Sequence, residues 1–375
     1  MTFRRVRAVI TLPALSILLA LITAGIIMIL SSPLVTLNGS LDPSLPLSAY
    51  WSLLQGAFGS FDAIVQTLVS ATPLILAGLA VGIGFKAGLF NIGGQGQFLI
   101  GGVAAAAVGA SLSTAPAFIA VPAAVGAGMV AGATYGFIPG FLKAFTGAHE
   151  VVTTIMLNYV AIQIISYLIT GPLRATGASF ARSPDVGNAA LVVILGDNGH
   201  VGLLFGFIAV PIVWWLLYRS TVGFEIRTVG ANPDAARYAG MRARTLVVLT
   251  MTVCGLLAGL AGAGEILRLP DYGYMPAAYS TNVGFDGITV ALLGRAHPVG
   301  ILFAGLLLGA MRAGSGLMQV QAGIPVQMVD VLQGVILFFL TAELLVRQIF
   351  RIRAESAEVS ELQTVTRSYG GQTGP

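Results

Sequence analysis

Three side-chain amides interrupt an otherwise apolar stretch of this sequence. Asn91, Gln95 and Gln97 lie in the glycine-broken segment Gly84–Gln97, which ends one hydrophobic run and begins the next. An amide without hydrogen-bond partners is costly in an apolar environment, so these side chains must face protein or a water-filled path. The segment therefore predicts either a broken helix that lines a route for an uncharged polar solute or an ordinary cytoplasmic turn capped by amides.

Ionisable residues also stand inside or at the ends of long apolar runs. They are Glu150, Glu265, Asp286, Arg312 and Asp330. Such groups are functional candidates by default, although those at the ends of runs can simply reach the interface. Glu150 begins a predicted helix, where an acid also complements the helix dipole. Asp286, beside Thr281 and Asn282 in a short glycine-flanked run, is the stronger candidate because discontinuous spans often mark transport sites.

A polar segment, Thr221–Met241, has the capping residues of a short helix. Asn232 suits the N-cap, Pro233 the first helical position, Asp234 the positive helix end and Gly240 the C′ position. The spacing predicts a helix of about two turns, which is marginal on its own and would gain from docking onto a partner. The alternative is a well-capped connecting loop.

The absence of several sequence motifs excludes the chemistry that depends on them. The only lysines, Lys86 and Lys143, do not follow a GxxxxGK[ST] pattern, so the chain has no P-loop for ATP, and no GxSxG elbow is present. Three scattered histidines and a single cysteine, Cys254, form no metal-ligand spacing. We therefore expect no catalytic residues, metal or cofactor in this chain, and any ATP would be used by partner subunits.

The composition places most of these residues in a membrane. Charged residues make up 9% of the 375 positions and hydrophobic residues 56%, whereas soluble domains carry about 25% charged residues. The 48 glycines suit close helix contacts in a membrane bundle, and Gly-xxx-Gly pairs begin at Gly78, Gly136, Gly255 and Gly305. The predicted fold class is all-α, a polytopic membrane helical bundle with broken or re-entrant segments.

Apolar runs and basic residues together predict the topology. Spans are expected near 8–30, 62–84, 95–112, 115–138, 151–170, 201–219, 245–267 and 324–346, with one span plus a re-entrant piece, or two spans, in 283–318. Lys and Arg concentrate on one side, which predicts that both termini are cytoplasmic and favours about ten spans. The stretches 31–60, 171–200 and 268–282 would then be external. Residues 1–353 form the predicted transmembrane domain, with a cytoplasmic coupling segment at 220–244, and residues 354–375 a disordered cytoplasmic tail.

Three motifs carry a family resemblance. Gly88–Phe98, His149–Tyr159 and Val229–Met241 are similar, in sequence, order and spacing, to the permease family of ATP-binding-cassette importers for nucleosides and simple sugars, in its nucleoside-type branch. The resemblance covers residues 60–347. One departure is Gln95, since an acid is frequent at that position in the family, and this leaves open a different or less basic substrate.

The resemblance implies the parts of an importer. A cytoplasmic ATPase, a second permease subunit that is a paralogue or a second copy, and an external substrate-binding lipoprotein would complete it, with no role for nucleic acid. It implies a substrate pathway at Phe90, Asn91, Gln95, Gln97, Glu150, Thr153 and Asn158, to which the residues themselves add Asn282 and Asp286. It also implies ATPase coupling through Asn232, Pro233, Asp234, Arg237, Tyr238, Gly240 and Met241.

The expected function is import of a small polar solute, nucleosides first, by alternating access. Amides and hydroxyls suit ribose and other simple sugars equally well, so a sugar permease is the main alternative. A proton-coupled secondary transporter that uses Glu150, Glu265, Asp286 and Asp330 as a relay is a weaker one, because it leaves the capped helix after Asn232 unexplained. A membrane scaffold or enzyme subunit would need no broken polar spans.

Overall fold

The computed structural model describes residues 3–35, 40–268, 273–277, 279, 281–342 and 346. The α-helices in these ranges are α1 (Phe3–Val35), α2 (Leu45–Phe58), α3 (Phe61–Lys86), α4 (Gly94–Ser111), α5 (Ala117–Thr146), α6 (Glu150–Thr170), α7 (Leu203–Arg219), α8 (Thr221–Ala231), α9 (Pro233–Tyr238), α10 (Ala243–Ile266), α11 (Val283–Leu293), α12 (Pro298–Ala322) and α13 (Gln327–Thr341). A short antiparallel pair, β1 (Val193–Leu195) and β2 (Gly199–His200), lies between α6 and α7. The predicted all-α membrane bundle is confirmed.

The described part of the chain holds six helical segments that are long and apolar enough to cross a bilayer. They lie in α1, α3, α5, α6, α10 and α12, and α7 with α8 makes a seventh candidate that is bent by 71°. By contrast, α11 has 11 residues, about 16 Å of helix, and cannot cross roughly 30 Å of hydrocarbon alone. Residues 283–318 therefore contain one long helix and one short helix. The count of ten spans stays a prediction.

The structure divides into two compact units. One contains the described residues within 1–46 and 327–375, and the other contains the described residues within 47–326. In the first unit α1 packs against α13, and the Ser16 hydroxyl donates to the carbonyl oxygen of Phe339 at 3.3 Å. Arg347, Arg351 and Arg353, which supported the even span count, and the predicted tail 354–375 lie outside the described residues.

The centre of the larger unit is α3, which packs against α12, α11, α10 and α7. Its most apolar window is 83% buried, as expected for a helix that is hydrophobic on all sides. Ser60 caps its start by accepting a hydrogen bond from the backbone N–H of Ala63 at 3.1 Å. Pro73 lies inside this helix, where neighbouring helices can satisfy the backbone groups that a proline frees.

Glycines bring α5 and α10 into close contact. A methyl group at Gly132 would overlap the backbone oxygen of Gly255, and one at Gly259 would overlap that of Gly128. The Gly-xxx-Gly pairs beginning at Gly136 and Gly255 therefore lie at a helix crossing, as small residues do in membrane bundles.

The predicted external stretch 31–60 contains a helix that the sequence interpretation missed. Residues 45–58 form α2, in which Trp51 is exposed and Ala57 is buried. Proline and glycine at 43, 46, 56 and 59 suggested turns. The helix nevertheless forms, with Gly56 packed closely on Gly314 of α12, because tertiary packing overrides local propensity.

Candidate functional site

Two of the three amides of the glycine-broken segment, Asn91 and Gln97, bond to each other. The Asn91 amide nitrogen donates to the Gln97 side-chain oxygen at 3.0 Å, and the Gln97 amide nitrogen donates back to Asn91 at 3.3 Å. Asn91 also accepts a bond from the backbone N–H of Gly93 at 3.1 Å. Both side chains are 1% exposed. This reciprocal pair braces the turn between α3 and the start of α4.

Gln95 connects the start of α4 to the start of α11. Its amide nitrogen donates to the carbonyl oxygen of Thr281 at 2.6 Å, and its oxygen accepts from the backbone N–H of Gly284 at 2.9 Å. Gly284 lies so close to the backbone of Gln95 that any side chain there would overlap it. The two short polar helix starts, 189 residues apart in the chain, are therefore joined in space.

Asn158 joins the same place from α6. Its side-chain oxygen accepts from the backbone N–H of Gly96 at 2.8 Å, and its amide nitrogen donates to the carbonyl oxygen of Ile92 at 3.0 Å. We call Asn91, Gln95, Gln97 and Asn158 the amide cluster. Its members are buried and bonded to protein. Of the two environments that the sequence allowed for Asn91, Gln95 and Gln97, protein or a water-filled path, this conformation has the first. Whether they line a substrate pathway in another conformation stays a prediction.

The other predicted pathway residues lie around this cluster. The Phe90 ring lies 5.1 Å from the Phe85 ring, and the Thr153 hydroxyl donates within its own helix to the carbonyl oxygen of His149 at 2.7 Å. Asn282 is exposed at the N-cap of α11 and makes no side-chain cap hydrogen bond. Their roles in transport are not tested by this geometry.

Three of the candidate acids have basic partners. Glu150, with a side chain 3% exposed, lies 2.8 Å from the Lys143 amine; Asp286 pairs with Arg312; and the Glu265 carboxylate lies 3.1 Å from Arg268.

Asp330 is exposed on α13. The sequence interpretation did not foresee the Lys143 pairing, although this lysine lies in the last turn of α5, seven residues before Glu150 begins α6. Within the described residues no three His, Cys, Asp or Glu side chains converge on a possible metal position.

The predicted capped helix is present as α9. The Asn232 side chain accepts from the backbone N–H groups of Asp234 at 3.1 Å and Ala235 at 3.0 Å, and Pro233 is the first helical residue. At the other end Gly240 has φ +80° and donates to Arg237 at 2.9 Å, while Met241 donates to Ala236 at 3.0 Å. This is the Schellman pattern of helix termination.

The outer face of α9 has no cover within the described chain. Tyr238 is 95% exposed, and Arg237 and Asp234 form a loose, exposed pair at 3.5 Å. Ala236 is the buried residue of this helix. The helix thus presents an aromatic ring and a guanidinium outward on a backbone that is capped at both ends.

A backbone contact connects the α8–α9 segment to the amide cluster. Gly230, near the end of α8, lies against Lys86 and Gly88 so closely that a methyl group on it would overlap the carbonyl oxygen of Lys86. Gly88, with φ +71°, takes a conformation that glycine adopts readily. Asn91 follows three residues later, so one short turn separates this contact from the amide cluster.

The molecule combines a buried amide cluster, broken helices and an exposed capped helix. Together these features define a class of membrane transport subunit, with polar groups inside a helical bundle and a short helix exposed at its surface. The family model described as "branched-chain amino acid transport system / permease component" matches residues 63–341. The chain belongs to this family.

Curated relatives have similar descriptions. The chain is 38% identical to the guanosine ABC transporter permease protein NupP of Bacillus subtilis, over 89% of this chain and 94% of that one. It is 36% identical to the nucleoside ABC transporter permease protein NupB of Lactococcus lactis, over 84% and 89%. It is 35% identical to the glucose ABC transporter permease protein TsgB13 of Haloferax volcanii, over 88% and 87%. No solved structure matches.

These relationships give the general function. The chain is a multi-pass membrane protein and the permease subunit of an ATP-binding-cassette importer, not an enzyme. It works with an ATPase and a substrate-binding component of such a system.

Proposed function

We propose that this permease moves nucleosides into a bacterial cell by alternating access. The observation that carries the proposal is the similarity to two permeases described as transporting guanosine and nucleosides, which extends over more than four fifths of each chain. The members of the amide cluster are bonded to protein in this conformation, so the substrate assignment rests on that similarity.

The exposed helix α9 is the proposed binding site for the ATPase. Arg237 and Tyr238 project from it, and arginine and tyrosine are enriched at the centres of protein interfaces. The ATPase would bind and hydrolyse ATP, so this chain needs no cofactor. Closure of the ATPases would move α9 and, through the backbone contact of Gly230 with Lys86 and Gly88, the turn that carries Asn91.

The proposed setting is the bacterial cell (inner) membrane, with both termini and residues 220–244 in the cytoplasm. Arg219, Arg227, Arg237, Arg242 and Arg244 lie in or beside that segment, as the positive-inside rule expects. A second permease subunit, either a paralogue or a second copy, would complete the pathway, and an external binding lipoprotein would deliver the solute. Nucleic acid has no part in this proposal.

A simple sugar is the second candidate substrate. The similarity to a permease described as a glucose transporter, 35% identical over most of both chains, favours it specifically. Proton coupling has less support, because Glu150, Glu265 and Asp286 each form an ion pair with a basic side chain.

Uptake into proteoliposomes tests the proposed function. Vesicles would contain this chain, its partner permease, the ATPase and the binding protein, with or without internal ATP, and receive labelled guanosine or glucose. Guanosine uptake that requires internal ATP would support the proposal. Uptake of glucose alone would replace the substrate, and uptake driven by a proton gradient without ATP would overturn the mechanism.

A charge reversal tests the docking of α9. Arg237→Glu should reduce ATP-dependent uptake at least tenfold, because it places a negative charge at the proposed ATPase contact. Arg219→Glu, an exposed reversal at the end of α7 and outside residues 220–244, should retain most of the activity. Co-purification of the ATPase measures assembly. Equal loss in both variants, or none in either, would contradict the assignment of α9.

A further inference from the structure

Helix α6 has two unlike faces. Its buried residues, Glu150, Thr154, Asn158, Ala161, Ile165 and Ile169, repeat every three or four positions and face the larger unit. Tyr159, Gln163 and Tyr167 are spaced four residues apart on the opposite face and are exposed, the two tyrosines by 63% and 71%. We call these three residues the outer stripe of α6.

Two residues of the outer stripe are exposed in the middle of a membrane span, where polar side chains need an explanation. Helix α6 has 21 residues and qualifies as a membrane span. At 1.5 Å per residue, Tyr159 and Gln163 lie about 14 and about 20 Å from its start, within the middle of the span. Tyrosine at an interface is common, but that preference covers Tyr167 near the helix end and not the two central residues.

A glutamine facing lipid at this depth would leave its amide without partners, which is unfavourable. Other helices in the described chain present apolar outer faces at comparable depth. Exposed side chains on α7 include Ile208 and Ile212, and Val130 is exposed on α5. These suit lipid, whereas Gln163 requires either water or a polar partner.

The outer stripe borders a shallow, open groove on the surface of α6 that is lined by Tyr159, Val160, Gln163, Ile164 and Tyr167. Small-molecule sites are largely apolar, with a few polar groups that fix orientation. The groove has this composition but only one wall. A second permease subunit facing it would supply the opposite wall and enclose the space.

We propose that the outer stripe of α6 is the solute-contacting wall of the translocation path, and that it takes an uncharged solute with an aromatic ring, such as a purine nucleoside. The base stacks on the Tyr159 ring, as nucleobases do on aromatic side chains, and the Gln163 amide bonds to the base edge or ribose one helical turn away. This assignment rests on the proposed function and adds to it the surface that contacts the solute.

Cysteine labelling in the assembled importer tests the assignment. Cys254, the chain's single cysteine, is fully buried, so the background is low. The variants are Gln163→Cys and, one residue away on a different exposed face, Ile162→Cys, each in the complete complex in proteoliposomes. The probe is a water-soluble, membrane-impermeant methanethiosulfonate reagent, applied with and without guanosine, binding protein and ATP.

A wall of the path predicts labelling of Gln163→Cys at least tenfold faster than of Ile162→Cys, and slower labelling while guanosine is transported. No labelling of Gln163→Cys, or equal labelling of both variants, would overturn the assignment in favour of lipid or a closed subunit contact. If the unmodified complex transports glucose and not guanosine, the proposed substrate fails, whereas protection of Gln163→Cys by glucose would keep the wall and remove its aromatic specificity.

A substitution pair tests the stacking role separately. Tyr159→Phe keeps the ring and should retain guanosine uptake within about twofold, while Tyr159→Leu should lower it roughly five- to thirtyfold, as expected for a lost base–aromatic contact. Co-purification of the ATPase with each variant measures assembly. Equal uptake by the two variants would exclude stacking on this ring.

Discussion

At the scale of single residues, the amide cluster of this permease bonds to segments that are distant in the chain. The sequence indicated that Asn91, Gln95 and Gln97 need partners, but the partners of Gln95 are the backbone of Thr281 and Gly284, far along the chain. Local pattern predicts that a buried amide must be satisfied. It does not predict which distant backbone group satisfies it, because that depends on the packing of α4 against α11.

Asn158 offers a direct test of such a bond. Asn158→Ala should destabilise the protein by about 1–3 kcal/mol, because it leaves the buried Gly96 N–H and Ile92 carbonyl without a partner. Thr153→Val is the control, since the Thr153 hydroxyl donates within its own helix. Thermal unfolding in detergent measures both. A stability loss of equal size in the control would mean that α6 tolerates no change here and would remove the special role of Asn158.

The Asp286–Arg312 pair connects α11 to α12 and should show energetic coupling. Asp286→Asn alone leaves the Arg312 guanidinium, 25% exposed, without its counter-charge, so it should cost more stability than it does in an Arg312→Met background. A double-mutant cycle is expected to give a coupling of about 0.5–3 kcal/mol. The exposed Asp234–Arg237 pair is the comparison and should couple weakly, as surface pairs do. Additive effects at Asp286 and Arg312 would contradict the pairing.

At the scale of helices, length and hydrophobicity predicted most elements, and side-chain chemistry at the ends predicted α9. The failures have a common cause. Helix α2 and the β1–β2 hairpin occupy stretches whose turn-forming residues dominate the local pattern, and both are too short to give a membrane-span signal. Their formation depends on contacts such as Gly56 on Gly314, which no local window contains.

Close packing of α5 on α10 makes one glycine far more sensitive than another in the same helix. Gly132→Ala should destabilise the protein by about 1–3 kcal/mol, because the added methyl overlaps the Gly255 backbone. Gly126 has nothing within 4 Å of the corresponding position, so Gly126→Ala should be neutral or slightly stabilising, since alanine favours the helix. Denaturation in detergent compares them, and a similar response from the two variants would argue against this helix crossing.

At the scale of the whole molecule, composition predicted a membrane bundle, and three motifs predicted the family that the comparisons support. Local sequence patterns did not predict which helices are neighbours in space. The meeting of α4, α6 and α11 at the amide cluster joins residues 62 to 189 positions apart. Such contacts arise from the packing of the complete chain.

The predicted orientation can be tested with cysteines on opposite sides. The distribution of basic residues predicts that α9 lies in the cytoplasm and the β1–β2 turn outside. Tyr238 is 95% exposed and Asp197 is exposed in that turn. The cells are first made permeable at the outer membrane or cell wall, while the inner membrane stays closed. A membrane-impermeant maleimide should then label Asp197→Cys and not Tyr238→Cys. Permeabilising the inner membrane should make Tyr238→Cys reactive. The unmodified chain, whose Cys254 is buried, is the control. Labelling of Tyr238→Cys alone before permeabilisation would invert the topology and move the proposed ATPase contact to the wrong side, because ATP is available to the complex only from the cytoplasm.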